Sequence, residues 1–352
     1  DYPEAPREAF PEDPPPDVFA REPAPGSIER MPLENTAAPG SYDESETPVA
    51  AAPPPSTPNI VEGAIDPSLK LGAREDVAAL QILLDRRGAS PGVIDGRFGS
   101  NVDKAIVAYR AINRDNLKST DAEGIKKALA ETGGDPFMNY TITASDAAGP
   151  FVASVPSDYG EKAKLERMSY TSVSEMLAER FHMDEAYLKA LNPQANFGRV
   201  GTIIRVANVG KPATGAVTRI VADKGKKQVF AYDADNRLVV SYPATIGSTD
   251  TPSPTGTHNI SRVVIDPDYT YNPNINFKQG ENSKILTIPP GPNGPVGNVW
   301  IALDKPTYGI HGTPDPSKIG KTESHGCVRL TNWDAQELAK LVKPGVPVEF
   351  VD

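Results

Sequence analysis

The hydrophobic period of this chain changes once, and the change limits what it can fold into. As far as Leu191 the apolar residues recur at helical spacing, and from Val217 onward they alternate. In REDVAALQILLDRRG, Val77, Leu80, Leu83 and Leu84 share one helical face. In NVDKAIVAYRAI the face is Val102, Ala105, Ile106 and Tyr109. A glycine-rich turn, SPGVIDGRFGS, separates the two, and a third short helix is expected at 123–131. Together they predict a helical unit over 70–131. Residues 132–157, rich in Gly, Pro, Ser and Ala, read as a connection. The stretch YTSVSEMLAERFHMDEAYLKALNPQANFGRVGTIIRV reads as two short helices, an Asn-Pro stop and a strand at 202–206, which makes a second small unit at 158–210. Ser172 is placed to cap its first helix, with Glu175 completing a capping box. His182, between the two helices, is expected at the surface or as a cap.

After the switch, TRIVADK, KQVFAYDA and RLVVSYPATIG read as strands, with a hairpin turn at 233–236. Further strands are expected around 257–264 and 298–303, separated by a long loop at 266–295 rich in Pro, Asn and Gly. A single helix closes the chain, with Ala335, Leu338, Ala339 and Val342 on its buried face and Pro344-Gly345 as its stop. The expected fold class is multidomain α+β: a small helical bundle, a small α/β unit, and a mostly β domain over 217–352 with a C-terminal helix.

The first 60 residues follow neither period. They hold 15 of the 36 prolines, with twelve acids and three bases. Such a segment cannot bury enough apolar surface to offset its ordering entropy, so 1–60 is expected to be extended and disordered, as a spacer or a solubilising tail. It carries nearly all of the net charge of −10, and the rest is close to neutral. No basic stripe for nucleic acid is present. No apolar run reaches the ~20 residues of a membrane span, so a soluble protein is expected. The chain opens DYPEAP, without the features of a signal peptide, which fits a cytosolic protein or an exported one after cleavage.

Chemistry concentrates in GIHGTPDPSKIGKTESHGCVRL, residues 309–330. It contains two of the four histidines, His311 and His325, and the single cysteine, Cys327. If 324–329 is extended, His325, Cys327 and Arg329 point to one side, and Gly326 between them lets another group approach the backbone. An imidazole within reach of a thiol activates it as a nucleophile. No carboxylate stands at an obvious offset, so a backbone carbonyl near Gly312 is the expected third member. The N–H groups of Gly326 and Cys327 are candidates for an oxyanion hole. Two other readings stay open at this point. His311, His325 and Cys327 can be zinc ligands, although His-x-Cys is cramped and no fourth ligand is in view. Cys327 can also be a buried small hydrophobe.

His311-Gly312-Thr313 followed by Ser324-His325-Gly326-Cys327-Val328-Arg329-Leu330 resembles the signature of the L,D-transpeptidase catalytic domain. Thr251-Pro252-Ser253-Pro254-Thr255-Gly256-Thr257 is similar to that family's Thr-Pro-x-Gly segment. The resemblance covers 217–352. It implies Cys327 as nucleophile, His311 as base, His325 lining the site and holding its loop, and Gly326 with Cys327 as oxyanion donors. Arg329 either recognises a substrate carboxylate or braces the loop through a salt bridge. Ser324 bonds within the site or supports its turn. Tyr308 flanks the site, Trp300 is expected in the core, and the 266–295 loop is the expected lid. The implied reaction is acyl transfer on peptidoglycan stem peptides, with no cofactor and no metal. A 3→3 cross-link between stems forms and D-alanine leaves. The acceptor can instead be a protein of the wall or outer membrane, a D-amino acid, or water. A non-catalytic wall-binding protein is the alternative from another class.

Two further resemblances precede this domain. Helix, Asp95-Gly96-Arg97-Phe98-Gly99, helix is similar to the peptidoglycan-binding-domain-1 family, with Arg110 where that family has glutamine. Leu191-Asn192-Pro193 and Gly201-Thr202-Ile203-Ile204-Arg205-Val206 resemble the lysin motif (LysM), though its first strand is not evident just before Tyr170. These imply glycan strands as partners and a location in the periplasm or cell wall.

Overall fold

The computed structural model describes residues 74–352, apart from 248–252, 276–277, 323 and 325. The expectations for 1–60, for His325 and for part of the 251–257 segment lie outside the described residues. The first helices are α1 (Glu75–Arg86), α2 (Ser100–Asn113) and α3 (Ala122–Thr132). Their apolar faces meet in one cluster with Leu80, Leu83, Leu84, Val102, Ile106 and Tyr109 buried. The turn between α1 and α2 hangs on Gln81, a buried polar residue. Its Oε1 accepts the N–H groups of Asp95 (3.1 Å) and Gly96 (2.9 Å), and its Nε2 donates to Asp95 Oδ1 at 2.9 Å. Arg110 donates to the Leu117 carbonyl at 2.7 Å and so secures the connection to α3.

Residues 132–157 hold more than a connection. A strand, β1 (Phe137–Thr141), pairs antiparallel with β2 (Ile203–Ala207), from Phe137↔Ala207 to Thr141↔Ile203. The strand at 203–207 thus pairs with one well upstream of Tyr170, outside the 158–210 expected for the second unit. Phe137 and Tyr140 pack inward while Met138 and Asn139 between them are exposed, so FMNYT lacks a simple alternation. The helices α4 (Ala144–Ala148), α5 (Tyr159–Lys162), α6 (Val173–Arg180) and α7 (Glu185–Leu191) follow β1. Ser172 caps α6 by accepting the Glu175 N–H at 3.1 Å, but the Glu175 carboxylate takes the N–H of Thr171, not of Ser172. The expected capping box is thus displaced by one residue. Ala78, Ile82 and Ile94 from the first unit are buried in the same cluster as Leu177, Tyr187 and Val206 of the second. The two units share a core. His182 follows the C-cap of α6 in a left-handed conformation (φ +56°), as a capping residue does, and is half-buried: its ring stacks on Trp333 (5.1 Å, 8°) and its Nδ1 lies 2.9 Å from Asp85 Oδ2.

The remaining strands are β3 (Arg219–Asp223), β4 (Gln228–Tyr232), β5 (Leu238–Pro243), β6 (Thr245–Ile246), β7 (Gly256–Ile265), β8 (Tyr269–Tyr271), β9 (Leu286–Ile288), β10 (Val299–Leu303), β11 (Gly309–His311), β12 (Val328–Arg329) and β13 (Pro347–Val351), with α8 (Asn332–Leu341) before β13. All but β8 and β9 join a nine-stranded sheet in the order β5-β4-β3-β13-β7-β10-β11-β12-β6. The chain closes on a strand, not on the expected helix. In β13, Val348 and Phe350 are buried on one face, and the strand lies between β3 and β7. Proline is tolerated at its first residue because Pro347 stands at the strand end. Burying side chains such as Val299, Ile301 and Ile310 stabilises the sheet by roughly 1.5–3 kcal/mol each.

The helical unit docks on the sheet edge. Ser90 and Gly88 exchange backbone hydrogen bonds with Ser241 of β5 (2.9 and 2.8 Å). Asn101 of α2 donates to the Ile319 carbonyl at 3.0 Å, within the loop that joins β11 to β12.

Candidate active site

Strands β11 and β12 run parallel, with Ile310 opposite Val328 and His311 opposite Arg329. Ile310 and Val328 are fully buried in the sheet core, so alternation puts His311 and Arg329 together on the other face. Cys327, just before β12, follows the same alternation. Its thiol lies 3.6 Å from the Thr307 carbonyl, and it makes no hydrogen bond to His311. His311 Nδ1 lies 2.7 Å from the Gly312 carbonyl oxygen. A carbonyl only accepts, so Nδ1 carries the proton and Nε2 is left as the ring's acceptor. Trp300 is opposite His311 in the β10/β11 ladder and stacks on the imidazole at 5.4 Å and 23°. It is half-buried and covers the ring, where the sequence pointed to a core residue.

Burial pushes the His311 imidazole down to about 3, with the Arg329 charge adding to the effect and the Gly312 carbonyl opposing it. Burial also pushes the Cys327 thiol up, against the Gly309 backbone and Arg329. At neutral pH both groups are uncharged. An unfolded chain's imidazole takes a proton below about 6.5, whereas the folded one stays neutral, so acid favours unfolding. The stabilisation is complete above about 6.5 and is lost as pH falls through that value toward 3. His311→Gln removes this dependence. The difference in urea-unfolding free energy, wild type minus variant, should shrink by about 2 kcal/mol between about pH 7 and pH 5. An unchanged difference would contradict a neutral, buried imidazole.

The turn before Cys327 is held from three sides. Gly326 has φ +101°, a conformation that favours glycine. Its carbonyl accepts the Ser253 hydroxyl at 2.7 Å. The Ser324 N–H donates to the Gly247 carbonyl (3.0 Å), and its hydroxyl donates to the Cys327 carbonyl (2.5 Å). Ser324 is buried and its hydroxyl supports the turn, one of the two roles expected of it. Ser253 was visible only as part of the TPSPTGT resemblance, with no role of its own.

Arg329 is half-buried and, among the described residues, makes no ion pair and no hydrogen bond. Arg329 opens instead onto a cavity of about 220 Å³, lined also by Thr245, Thr313, Asp315, Lys318 and Thr322. Tyr308 is half-buried against the main core, with Lys305 Nζ 5.2 Å from its ring centre. The 266–295 segment is not structureless, because β8 and β9 pair in it as an antiparallel hairpin. Burial raises the Tyr269 phenol, and Tyr159 and Cys327 add to the shift while Arg329 opposes it. Tyr269 therefore belongs to the electrostatic surroundings of the thiol, a role the sequence did not signal. Tyr159 of α5 packs edge-on against Tyr269 (6.1 Å) and Tyr271 (5.3 Å), and its N–H donates to Gln279 Oε1 at 2.9 Å. A thiol and a neutral imidazole close to a guanidinium that has no ion pair among the described residues can carry out acyl transfer on a substrate that bears a carboxylate.

The YkuD family model, describing the L,D-transpeptidase catalytic domain, matches residues 217–350. The YkuD proteins of Bacillus licheniformis and Bacillus subtilis, both named as L,D-transpeptidases, are 33 % identical over 178 residues and 32 % over 173. These alignments span 50 % and 49 % of this chain, and 92 % and 89 % of the relatives. Among solved structures, the catalytic domain of an E. faecium L,D-transpeptidase acylated by ertapenem aligns over 39 % of this chain and 98 % of that one, at 21 % identity and a TM-score of 0.30. By its identity across nearly all of the Bacillus relatives, and by the domain match over 217–350, this chain belongs to the L,D-transpeptidase family.

Proposed function

We propose that this enzyme transfers the acyl group of a peptidoglycan stem peptide, with Cys327 as nucleophile and His311 as its base. The observation that carries the reading is the parallel register of β11 and β12, which sets His311 beside Arg329 next to Cys327. The stem-peptide carbonyl between the third residue and the terminal D-alanine enters over Gly326. Cys327 Sγ turns from the Thr307 carbonyl, gives its proton to His311 Nε2 and bonds to the carbonyl carbon. In apo structures such catalytic contacts are often unformed. The N–H groups of Gly326 and Cys327 take the oxyanion. The imidazolium then protonates the nitrogen of D-alanine, which leaves, and a thioester remains. An amine of a second stem attacks the thioester and passes its proton to Nε2. The sulfur leaves and recovers that proton, so a 3→3 cross-link forms. Gly312 keeps the ring oriented throughout, and His325 lines the site. The β8–β9 hairpin acts as the lid that limits water, as aminolysis requires. No cofactor takes part, and stoichiometric zinc in the purified protein would overturn this mechanism.

Arg329 recognises a substrate carboxylate in the threonine-lined cavity, and Tyr308 borders the same side. Charge-assisted hydrogen bonds contribute about 1.5–3 kcal/mol, so Arg329→Gln should raise the KM for a tetrapeptide by about tenfold or more. The smaller change is expected in kcat, and an unchanged KM would contradict the assignment.

Residues 70–131 and 158–210 are read as wall-binding units similar to peptidoglycan-binding-domain-1 and LysM, acting in the periplasm or cell wall. Holding the enzyme on the polymer raises its local substrate concentration. A protein, a D-amino acid or water in place of the second stem remains the alternative acceptor.

A further inference from the structure

Glu179 lies on α6, outside the catalytic domain, yet one side chain links its carboxylate to Gly312, the residue after His311. The link is Asn332, the first residue of α8, which is fully buried. Asn332 Nδ2 donates to both Glu179 oxygens at 3.0 Å and to the Pro292 carbonyl at 3.1 Å. Three oxygen acceptors around this nitrogen fix which end of the amide is which. The other end, Oδ1, has no hydrogen-bond donor. It is pressed against Gly312 and Gly297, where an added methyl group would overlap it. A buried carbonyl with no donor among the described residues is unfavourable, so the hold on its nitrogen is what keeps the amide in this pose. Gly312 is the residue whose carbonyl accepts His311 Nδ1–H. The same loop is tied a second time, because the Leu330 N–H donates to the His311 carbonyl at 2.8 Å.

We propose that Glu179 is a positioning residue for acyl transfer: it fixes the Asn332 amide and, through it, the Gly312 carbonyl that orients His311. The second unit then acts as a brace for the active site and not only as a wall-binding module. This rests on the reading of His311 and Cys327 as the acyl-transfer pair. Tyr170, whose hydroxyl lies 3.2 Å from Glu179 Oε2, completes the carboxylate's surroundings. Burial pushes the Glu179 carboxyl up to about 8, against the hydrogen bonds from Asn332 and Tyr170. Glutamine is therefore its nearest replacement. A neighbouring tie between the same two parts of the molecule provides a control. Asn293 Nδ2 donates to Glu175 Oε1 (2.7 Å) and to the Ser169 carbonyl (3.0 Å), and neither acceptor belongs to the set around Asn332 Nδ2.

The test is acylation of the full chain by ertapenem, followed by intact-protein mass at a series of concentrations. This separates the limiting rate from the half-saturating concentration. Glu179→Ala should lower the limiting rate by about tenfold, with half-saturation changed by less than about twofold. Glu179→Gln should keep at least about half of the wild-type rate, and Asn293→Ala should acylate like wild type. A wild-type rate for Glu179→Ala would overturn the proposal. So would an equal slowing by Asn293→Ala, or a failure of glutamine to rescue. His311→Ala is the reference: if it acylated as fast as wild type, the acyl-transfer reading itself would fail, and not the role of Glu179 alone.

Discussion

Cys327→Ala releases no D-alanine from a disaccharide–tetrapeptide and forms no adduct with ertapenem. The chain has a single cysteine, so no second thiol can substitute for it. Removing the nucleophile of a covalent mechanism lowers turnover by on the order of 10⁴-fold or more. The fold should survive, because Cys327 is half-buried, the hydrogen bond of its thiol to the Thr307 carbonyl is long at 3.6 Å, and alanine keeps the backbone carbonyl that Ser324 bonds. Intact-protein mass spectra of wild type and variant after exposure to ertapenem check this prediction. Equal labelling of both would place the reactive atom elsewhere.

His311→Ala lowers the rate of acylation by about 10²–10⁴-fold, the usual contribution of a positioned general base. With burial holding the imidazole neutral and the thiol protonated, the proposed mechanism has the base act during attack and not from a preformed ion pair. Residual acylation in the variant should rise with pH as hydroxide ionises the thiol directly, while wild type should be faster throughout the neutral range. Stopped acylation time courses between about pH 6 and 9 check this. A variant as fast as wild type at neutral pH would remove His311 from the chemistry.

What the sequence disclosed was mainly local. Val77, Leu80, Leu83 and Leu84 are all buried, because a helix on a core exposes one face and its spacing records that face. The strands β3, β4 and β5 were legible for the same reason at period two. β13 was not, although VPVEFV alternates, because it follows a helix stop at Pro344-Gly345 and pairs with strands far away in the chain. β1 escaped because its exposed Met138 and Asn139 are adjacent and break the alternation.

The candidate site divides along the same line. His311 and Arg329 stand on two strands joined by one loop, and Gly312 and Cys327 lie next to them in that loop, so the sequence kept the four together. Trp300, Ser253, Tyr269 and Glu179 come from other elements, and only the fold brings them near. His182 was legible as a cap, but the contacts of its ring were not, because its partners, Asp85 and Trp333, lie on α1 and α8. A sequence pattern records which face a residue uses and not what that face will meet.

The central claim is acyl transfer from a stem peptide to a second amine. Its most direct test is incubation of the full chain with purified disaccharide–tetrapeptide, with products resolved by mass spectrometry and Cys327→Ala and His311→Ala as controls. The account predicts cross-linked dimers together with released D-alanine, in wild type only. D-alanine released without dimers would make water or another amine the acceptor, and dimers formed equally by Cys327→Ala would contradict the account.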